Sequence, residues 1–205
     1  MRKILAVFFV LFLFLASLYP VIGIFALICM LAPPIFAVFS GRFWCGNFCP
    51  RGAFLDMFIK KYSRHQTPPK FLKENSFRIF FFLILMSLFT LQLFSVPNSL
   101  ESLGLVFIKV IFLTSLLGII LGLYYFPRTW CMFCPMGSLS KFLSLSRTQN
   151  LFVKKSCIDC KNCSKVCPLH LQPDLEKGTF FQNSDCLKCG KCISNCPVNA
   201  LSFEK

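Results

Sequence analysis

Cys157-Ile158-Asp159-Cys160-Lys161-Asn162-Cys163-Ser164-Lys165-Val166-Cys167-Pro168 decides how the end of this chain folds, and Cys186-Leu187-Lys188-Cys189-Gly190-Lys191-Cys192-Ile193-Ser194-Asn195-Cys196-Pro197 repeats it. Both stretches read C-x-x-C-x-x-C-x-x-x-C-P. Three thiolates two residues apart let a tight loop wrap three iron corners of a cubane, while the fourth Cys, before proline, points toward the other cluster. The spacing assigns Cys157, Cys160, Cys163 and Cys196 to one [4Fe-4S] cluster, and Cys186, Cys189, Cys192 and Cys167 to a second. Zinc is the rival metal, but a tetrahedral zinc site needs two C-x-x-C pairs and leaves the regular third Cys and the Cys-Pro unexplained. His170 is not required as a ligand when all eight Cys are present. Lys188 and Lys191, flanking the second motif, read as solvated side chains.

The tail from Cys157 to Lys205 carries six basic and five acidic residues, so two oxidised cubanes would make it net negative. The rest of the chain is different. Of 205 residues 56% are hydrophobic, 27 are Phe, and the net charge is +14, which excludes a single soluble domain. The excess charge lies beside apolar segments and no nucleic-acid recognition motif accompanies it, so the partner it indicates is membrane lipid rather than nucleic acid.

Four apolar stretches predict transmembrane helices over residues 4–19, 21–40, 79–96 and 103–126, arranged as two hairpins. The first is short, since its 16 residues cover about 24 Å of a hydrocarbon core of about 30 Å. Arg2 and Lys3 precede it, and the loop 41–78 carries Arg42, Arg51, Lys60, Lys61, Arg64, Lys70, Lys73 and Arg78 against Asp56 and Glu74. After the fourth span come Arg128, Lys141, Arg147, Lys154 and Lys155 with no acidic residue before Cys157. This bias places the N-terminus, the central loop and the tail on the cytoplasmic side of a prokaryotic inner membrane, as a multi-pass protein. The start also has the look of a signal peptide, but without a small-x-small cleavage site it reads as a retained anchor. Lys109, near the outer end of the last span, is expected to snorkel. Pro33 and Pro34 are expected to kink the second span. Trp44, Tyr124, Tyr125 and Trp130 fall where an aromatic interface belt belongs, and the mid-span Cys29 reads as packing.

Each hairpin ends on a Cys pair and proline: Trp44-Cys45-Gly46-Asn47-Phe48-Cys49-Pro50-Arg51-Gly52, then Trp130-Cys131-Met132-Phe133-Cys134-Pro135-Met136-Gly137. An amphipathic stretch follows each, with Phe54, Leu55, Phe58 and Ile59 in one and Leu139, Phe142 and Leu143 in the other. This is an internal repeat. A pseudo-twofold axis along the membrane normal would bring Cys45, Cys49, Cys131 and Cys134 to one depth. Three roles stand open for them: buried apolar thiols, ligands of a third metal centre, or thiol–disulfide chemistry.

The tail resembles a bacterial dicluster ferredoxin over its whole length, including Val198-Asn199-Ala200-Leu201-Ser202-Phe203. That resemblance implies a small α+β domain at 151–205 behind a membrane domain at 1–150 whose Cys-Pro motifs lie at 45–50 and 131–135. Paired hairpins ending in C-x-x-x-C-P before such a tail are similar to the NapH-type quinol dehydrogenase subunits. The same architecture occurs in the polyferredoxin-like protein associated with nitrous oxide reductase and in the copper-reducing assembly protein of the cbb3 oxidase. The resemblance implies electron transfer between a membrane donor or acceptor, commonly quinone, and a redox partner protein; the copper-reducing relative implies metal reduction or cofactor assembly as the alternative. Two departures stand out. The second pair is C-x-x-C-P, one residue short, and the outer connections are too short to hold a further domain.

Overall fold

The computed structural model describes residues 2–97, 99–144 and 150–204. The link 145–149, which borders the expected domain boundary and contains Arg147, lies outside the described residues, as do Met1, Asn98 and Lys205. In the first repeat, α1 (Arg2–Leu18) leads through a 3-10 turn (Pro20–Phe25) into α2 (Ala26–Ser40), α3 (Phe43–Asn47) and α4 (Pro50–Phe54), which continues as a π turn (Leu55–Ile59). In the second repeat, α5 (Asn75–Phe94) and α6 (Leu100–Tyr124) lead to α7 (Trp130–Phe133) and α8 (Pro135–Leu143).

The two Cys-Pro steps break the chain direction alike. Cys49 and Cys134 are extended, with ψ of 113° and 129°, because a following proline bars the helical conformation. Pro50 and Pro135 then open α4 and α8 at the first turn, where no amide hydrogen is needed.

Three helical stretches, Pro20–Ser40, Asn75–Phe94 and Leu100–Tyr124, are long and apolar enough to cross a membrane. At 17 residues α1 spans about 26 Å and falls short of that measure. Large apolar side chains stand exposed along all four long helices, Phe39 at 77% and Phe94 at 90% among them, a girdle suited to acyl chains rather than water. Lys109 is exposed on α6 as expected of a snorkelling residue, and Cys29 is exposed on α2 rather than packed. Two helices begin three or more residues ahead of the expected spans. α5 begins at Asn75 instead of 79, because Arg78 is fully buried inside the helix against a carboxylate and does not mark the membrane edge. α6 starts at Leu100 instead of 103, capped by the Ser99 side chain, which accepts from the Ser102 amide.

The repeats interlock. α1 packs on α4 and α5 on α8 within their own repeats, whereas α2 packs on α8 and α6 on the π turn of the first repeat. Trp130, expected in an interface belt, is 1% exposed: α7 folds back under α6, where Gly118 leaves room for the indole and Phe81 and Phe133 meet it edge-on. That core continues into the tail through Leu169 and Leu187.

The tail forms a three-stranded antiparallel sheet, β1 (Asn150–Val153) between β2 (Phe180–Phe181) and β3 (Leu201–Glu204). Leu151 pairs with Phe181 and Phe203, and Val153 with Leu201. Two short helices, α9 (Asn162–Val166) and α10 (Lys191–Ser194), pack against each other. Leu151, Val153, Phe181 and Leu201 form the small tail core, with Cys163 buried beside them.

Candidate iron–sulfur and thiol sites

Two small cavities lie in the tail. The outer one is lined by Cys157, Cys160, Cys163 and Cys196; the other, against the membrane half, by Cys167, Cys186, Cys189 and Cys192. Each therefore gathers three cysteines from one motif and the fourth from the other. Val153, Ile158, Val198 and Leu201 complete the outer lining together with the polar Lys161, Asn162 and Asp174, whereas the inner lining is largely apolar, with Leu169, Leu171, Leu187 and Phe203. Among the described residues no three His, Cys, Asp or Glu side chains converge closely enough to hold a single metal ion. A zinc site would need thiolates about 3.8 Å apart, from Zn–S bonds of about 2.3 Å in a tetrahedron. The donor sets instead line two cavities, four cysteines to each, which is the ligand count that a cubane with one ligand per corner requires.

The backbone around both cavities follows one plan. Non-glycine residues rarely adopt positive φ, yet six of the described residues do outright, and five of these belong to the tail. Asp159 (φ 53°) and Lys188 (48°) occupy the same place in the two motifs, two residues after the first Cys. Lys161 (55°) matches Gly190 (70°), and His170 (52°) matches Asn199 (48°), three residues beyond the fourth Cys. Alternating right- and left-handed residues form concave nests of backbone N–H groups that favour anions, iron–sulfur clusters among them. Holding non-glycine residues there costs energy, and such strain collects at functional sites.

Burial pushes the Cys186 thiol up to about 11 and the Cys192 thiol up to about 12. It raises Cys163 and Cys167 as well. Bare, these thiols stay protonated at neutral pH; as metal ligands they must release their protons, so metal loading and pH are linked.

In the membrane half, Cys45 lies within electrostatic reach of Cys49, Cys131 and Cys134, and Cys131 of Cys49 and Cys134. The interlocked repeats thus bring the four together in one region. Burial pushes the Cys45 thiol up to about 12 and raises that of Cys131, against the pull of Arg42 and Arg128 respectively. The Arg51 guanidinium lies 5.0 Å from the Trp130 ring centroid, donates to Thr114 Oγ1 at 2.9 Å and reaches Cys134 Sγ at 3.3 Å.

Buried arginines cross between the repeats. Arg128 donates to the Cys45 carbonyl at 2.8 Å, and Arg42 donates to the Cys131 carbonyl. Each arginine precedes its own repeat's first Cys by three residues and holds the other repeat's. The glycine of each Cys-Pro-x-Gly makes room: a Cβ at Gly52 would stand 2.6 Å from Arg128 Nη1, and one at Gly137 2.6 Å from Arg42 Nη2. The repeat motif is therefore Arg-x-Trp-Cys followed by Cys-Pro-x-Gly, and the sequence reading, which opened the motif at the tryptophan, missed the arginines. Their identical offset from Cys45 and Cys131 was the available signal.

Two carboxylates balance this charge. Asp56 accepts from Arg128 at 2.9 and 3.1 Å, from Arg2 at 3.0 Å and from Lys191 at 3.3 Å. Asp185 accepts from Arg78 at 2.6 and 3.0 Å and from Arg42 at 3.0 Å, with Lys141 at 3.5 Å. Burial alone would raise both carboxyls, but the guanidinium partners hold them below the ordinary carboxylate range. Lys191 is thus tied to the membrane half, and Lys188 has its amino group buried without a hydrogen-bond partner among the described residues; neither is the solvated side chain expected. Both turn inward because the loop carrying Cys186 and Cys189 packs on the first Cys-Pro loop. There Asn47 Nδ2 donates to the Lys188 carbonyl at 3.4 Å, and a Cβ at Gly46 would collide with the Leu187 carbonyl.

Both cysteine regions match known protein families. A family model described as a 4Fe-4S binding domain matches twice, over residues 22–69 and 108–156, one match per Cys-Pro pair. A second, described as a 4Fe-4S dicluster domain, matches residues 156–201. Two uncharacterized proteins of Methanocaldococcus jannaschii are similar, at 25% identity over 155 residues and 27% over 145. Each alignment covers 67% of this chain but only 63% and 56% of the respective relative, so the chain matches less than two thirds of their length. No solved structure matches.

Proposed function

Taking the chain as an iron–sulfur, ferredoxin-like protein, we propose that it is a membrane-anchored electron-transfer protein whose tail passes single electrons between the membrane and a redox partner protein. In this reading residues 1–150 form four spans as two hairpin repeats, α1 included, and residues 151–205 lie with the N-terminus at the cytoplasmic face of a prokaryotic inner membrane. Quinone is the membrane-side donor or acceptor that the NapH-like layout favours. The observation that carries the proposal is the crosswise lining of the two cavities, four cysteines each.

Cys157, Cys160, Cys163 and Cys196 would hold one [4Fe-4S] cluster, and Cys186, Cys189, Cys192 and Cys167 the second. A bound cubane supplies one-electron redox chemistry at a potential set by its charge, hydrogen bonds and exposure. The protein supplies the setting for it. Leu169, Leu171, Leu187 and Phe203 give the inner cavity apolar walls, the Leu169 and Leu171 amides reach Cys167, and the Lys188 amide reaches Cys186. Anaerobic purification with iron and sulfide counting tests the reading: about eight iron atoms per chain fit two cubanes, and about twelve a third centre at Cys45, Cys49, Cys131 and Cys134. Fewer than about four would overturn it. Reduction of the clusters by a quinol analogue in proteoliposomes tests the quinone step separately.

The gathering of the four membrane-half cysteines, with Arg51 on Cys134, supports a second reading, in which this site reduces or inserts a metal for a partner. Replacing Cys45 and Cys131 by Ser separates the two. Electron flow that survives while metal reduction is lost favours the second.

A further inference from the structure

The two repeats agree at their buried arginines and differ in what neutralises them. Asp56, seven residues after Cys49, pairs with Arg128 of the other repeat. Seven residues after Cys134 the chain has Lys141. The second repeat therefore adds a cation where the first provides a carboxylate, and among the described residues Arg42 has no acidic partner from the membrane half. Asp185 of the tail fills that place. It meets Arg42, Arg78 and Lys141 together, the two arginine side chains fully buried. It also immediately precedes Cys186, at the start of the loop that rests on Gly46 and Asn47. The opposite clamp is Lys191 of the tail on Asp56 of the membrane half. The inner cysteine loop is thus pinned at both ends by ion pairs of opposite polarity.

We propose that Asp185 is a positioning residue: the carboxylate that the second repeat lacks, borrowed from the tail, registering the Cys186–Cys192 loop against the first Cys-Pro loop and so making the inner site the one that exchanges electrons with the membrane half. This rests on the electron-transfer reading above. It makes the domain contact obligatory, since leaving it would strand three cations without a counter-charge.

The test uses the full chain in nanodiscs, with Asp185→Asn and Lys141→Asp. Lys141→Asp gives the second repeat its own carboxylate, which competes with Asp185 for Arg42 and Arg78, so the membrane half depends less on the tail's counter-charge and the tether is weakened. Hydrogen exchange in residues 186–191 and 43–49 is expected to accelerate at least tenfold in both variants. Reduction of the tail by menadiol in the bilayer is expected to slow at least tenfold, while dithionite reduction from water and iron content stay at the parent value. Parent-like exchange in Lys141→Asp overturns the proposal, and that variant decides should Asp185→Asn lose its iron. Faster exchange with parent-like menadiol reduction also overturns it, since docking would then not set the coupling. If menadiol fails to reduce the parent protein, the quinol step fails, and exchange in the two loops still decides whether Asp185 registers the domains.

Discussion

The tail and the membrane half each contain a duplicated cysteine motif, and the two duplications are used in opposite ways. In the tail the copies are equivalent down to the backbone: left-handed residues recur at matched offsets, and each copy donates its fourth Cys to the other's cavity. Equivalence yields two similar sites. In the membrane half the copies share Arg-x-Trp-Cys and Cys-Pro-x-Gly but part at the positions between and beyond: C-x-x-x-C against C-x-x-C, Arg51 against Met136, Asp56 against Lys141. Those copies converge on one region, and their inequality leaves charges that only the tail completes. Duplication with exchange builds a relay; duplication with divergence builds a socket for it.

The strongest test of the contrast is Cys196→Ser. If the fourth ligand is exchanged, this change in the second motif empties the outer cavity, removing about half of the tail's iron, and leaves the EPR signal of the inner cluster. Loss of the inner signal instead would show that each motif serves its own cluster.

Next in size is Arg128→Met, which strips Asp56 of its bidentate partner inside the protein. Removing one member of a buried pair costs about 3–5 kcal/mol, and Arg2 and Lys191 remain on Asp56, so the lower end is expected. Arg2 is 31% exposed, and Arg2→Met should cost less than about 1 kcal/mol. Thermal unfolding of the two variants in the same detergent checks the ordering. Equal losses would mean that the crossing arginines are no more than surface charge.

These arginines also mark where the sequence stopped being legible. The eight tail cysteines, the repeat and the three longest helices could be read because spacing and hydropathy are local properties. Arg42, Arg78 and Arg128 could not, since basic residues at the ends of spans are commonly there to fix topology, and their sequence context is the same whether they face headgroups or a buried carboxylate. Asp56 and Asp185 were two acids among many bases, and nothing nearby in sequence reveals that residues 143 positions apart, Arg42 and Asp185, are partners. Trp130 was misplaced for a related reason: an aromatic at a helix end suits an interface belt equally well until the fold turns it under its neighbours.

Gly46→Ala bears on the contact between the halves at smaller amplitude. Its methyl collides with the Leu187 carbonyl, a backbone atom that cannot rotate away. Overpacking of this kind costs about 1–3 kcal/mol, and here it is expected to appear as faster hydrogen exchange in residues 186–191, with the sheet β1–β3 unchanged. A uniform rise across the tail would mean that the contact supports the whole domain instead of registering one loop.

The finest discrimination concerns Arg51, the one guanidinium among the described residues that reaches a cysteine sulfur. Replacing it with methionine makes the first repeat match Met136 of the second. The variant loses the contact to Cys134 Sγ and the donation to Thr114 Oγ1, both made by the charged guanidinium. Arg51 has no carboxylate among its described partners, so its charge would act on any centre that the four thiols held. Removing a cation beside a redox centre disfavours the reduced, more negative state, and the midpoint potential of a centre at Cys45, Cys49, Cys131 and Cys134 should fall while both tail signals keep theirs. An EPR-monitored titration of the parent and Arg51→Met reads this directly. A shift confined to the membrane-half signal would show that divergence between the repeats tunes a working centre, whereas unchanged potentials would reduce Arg51 to a partner for the Trp130 ring.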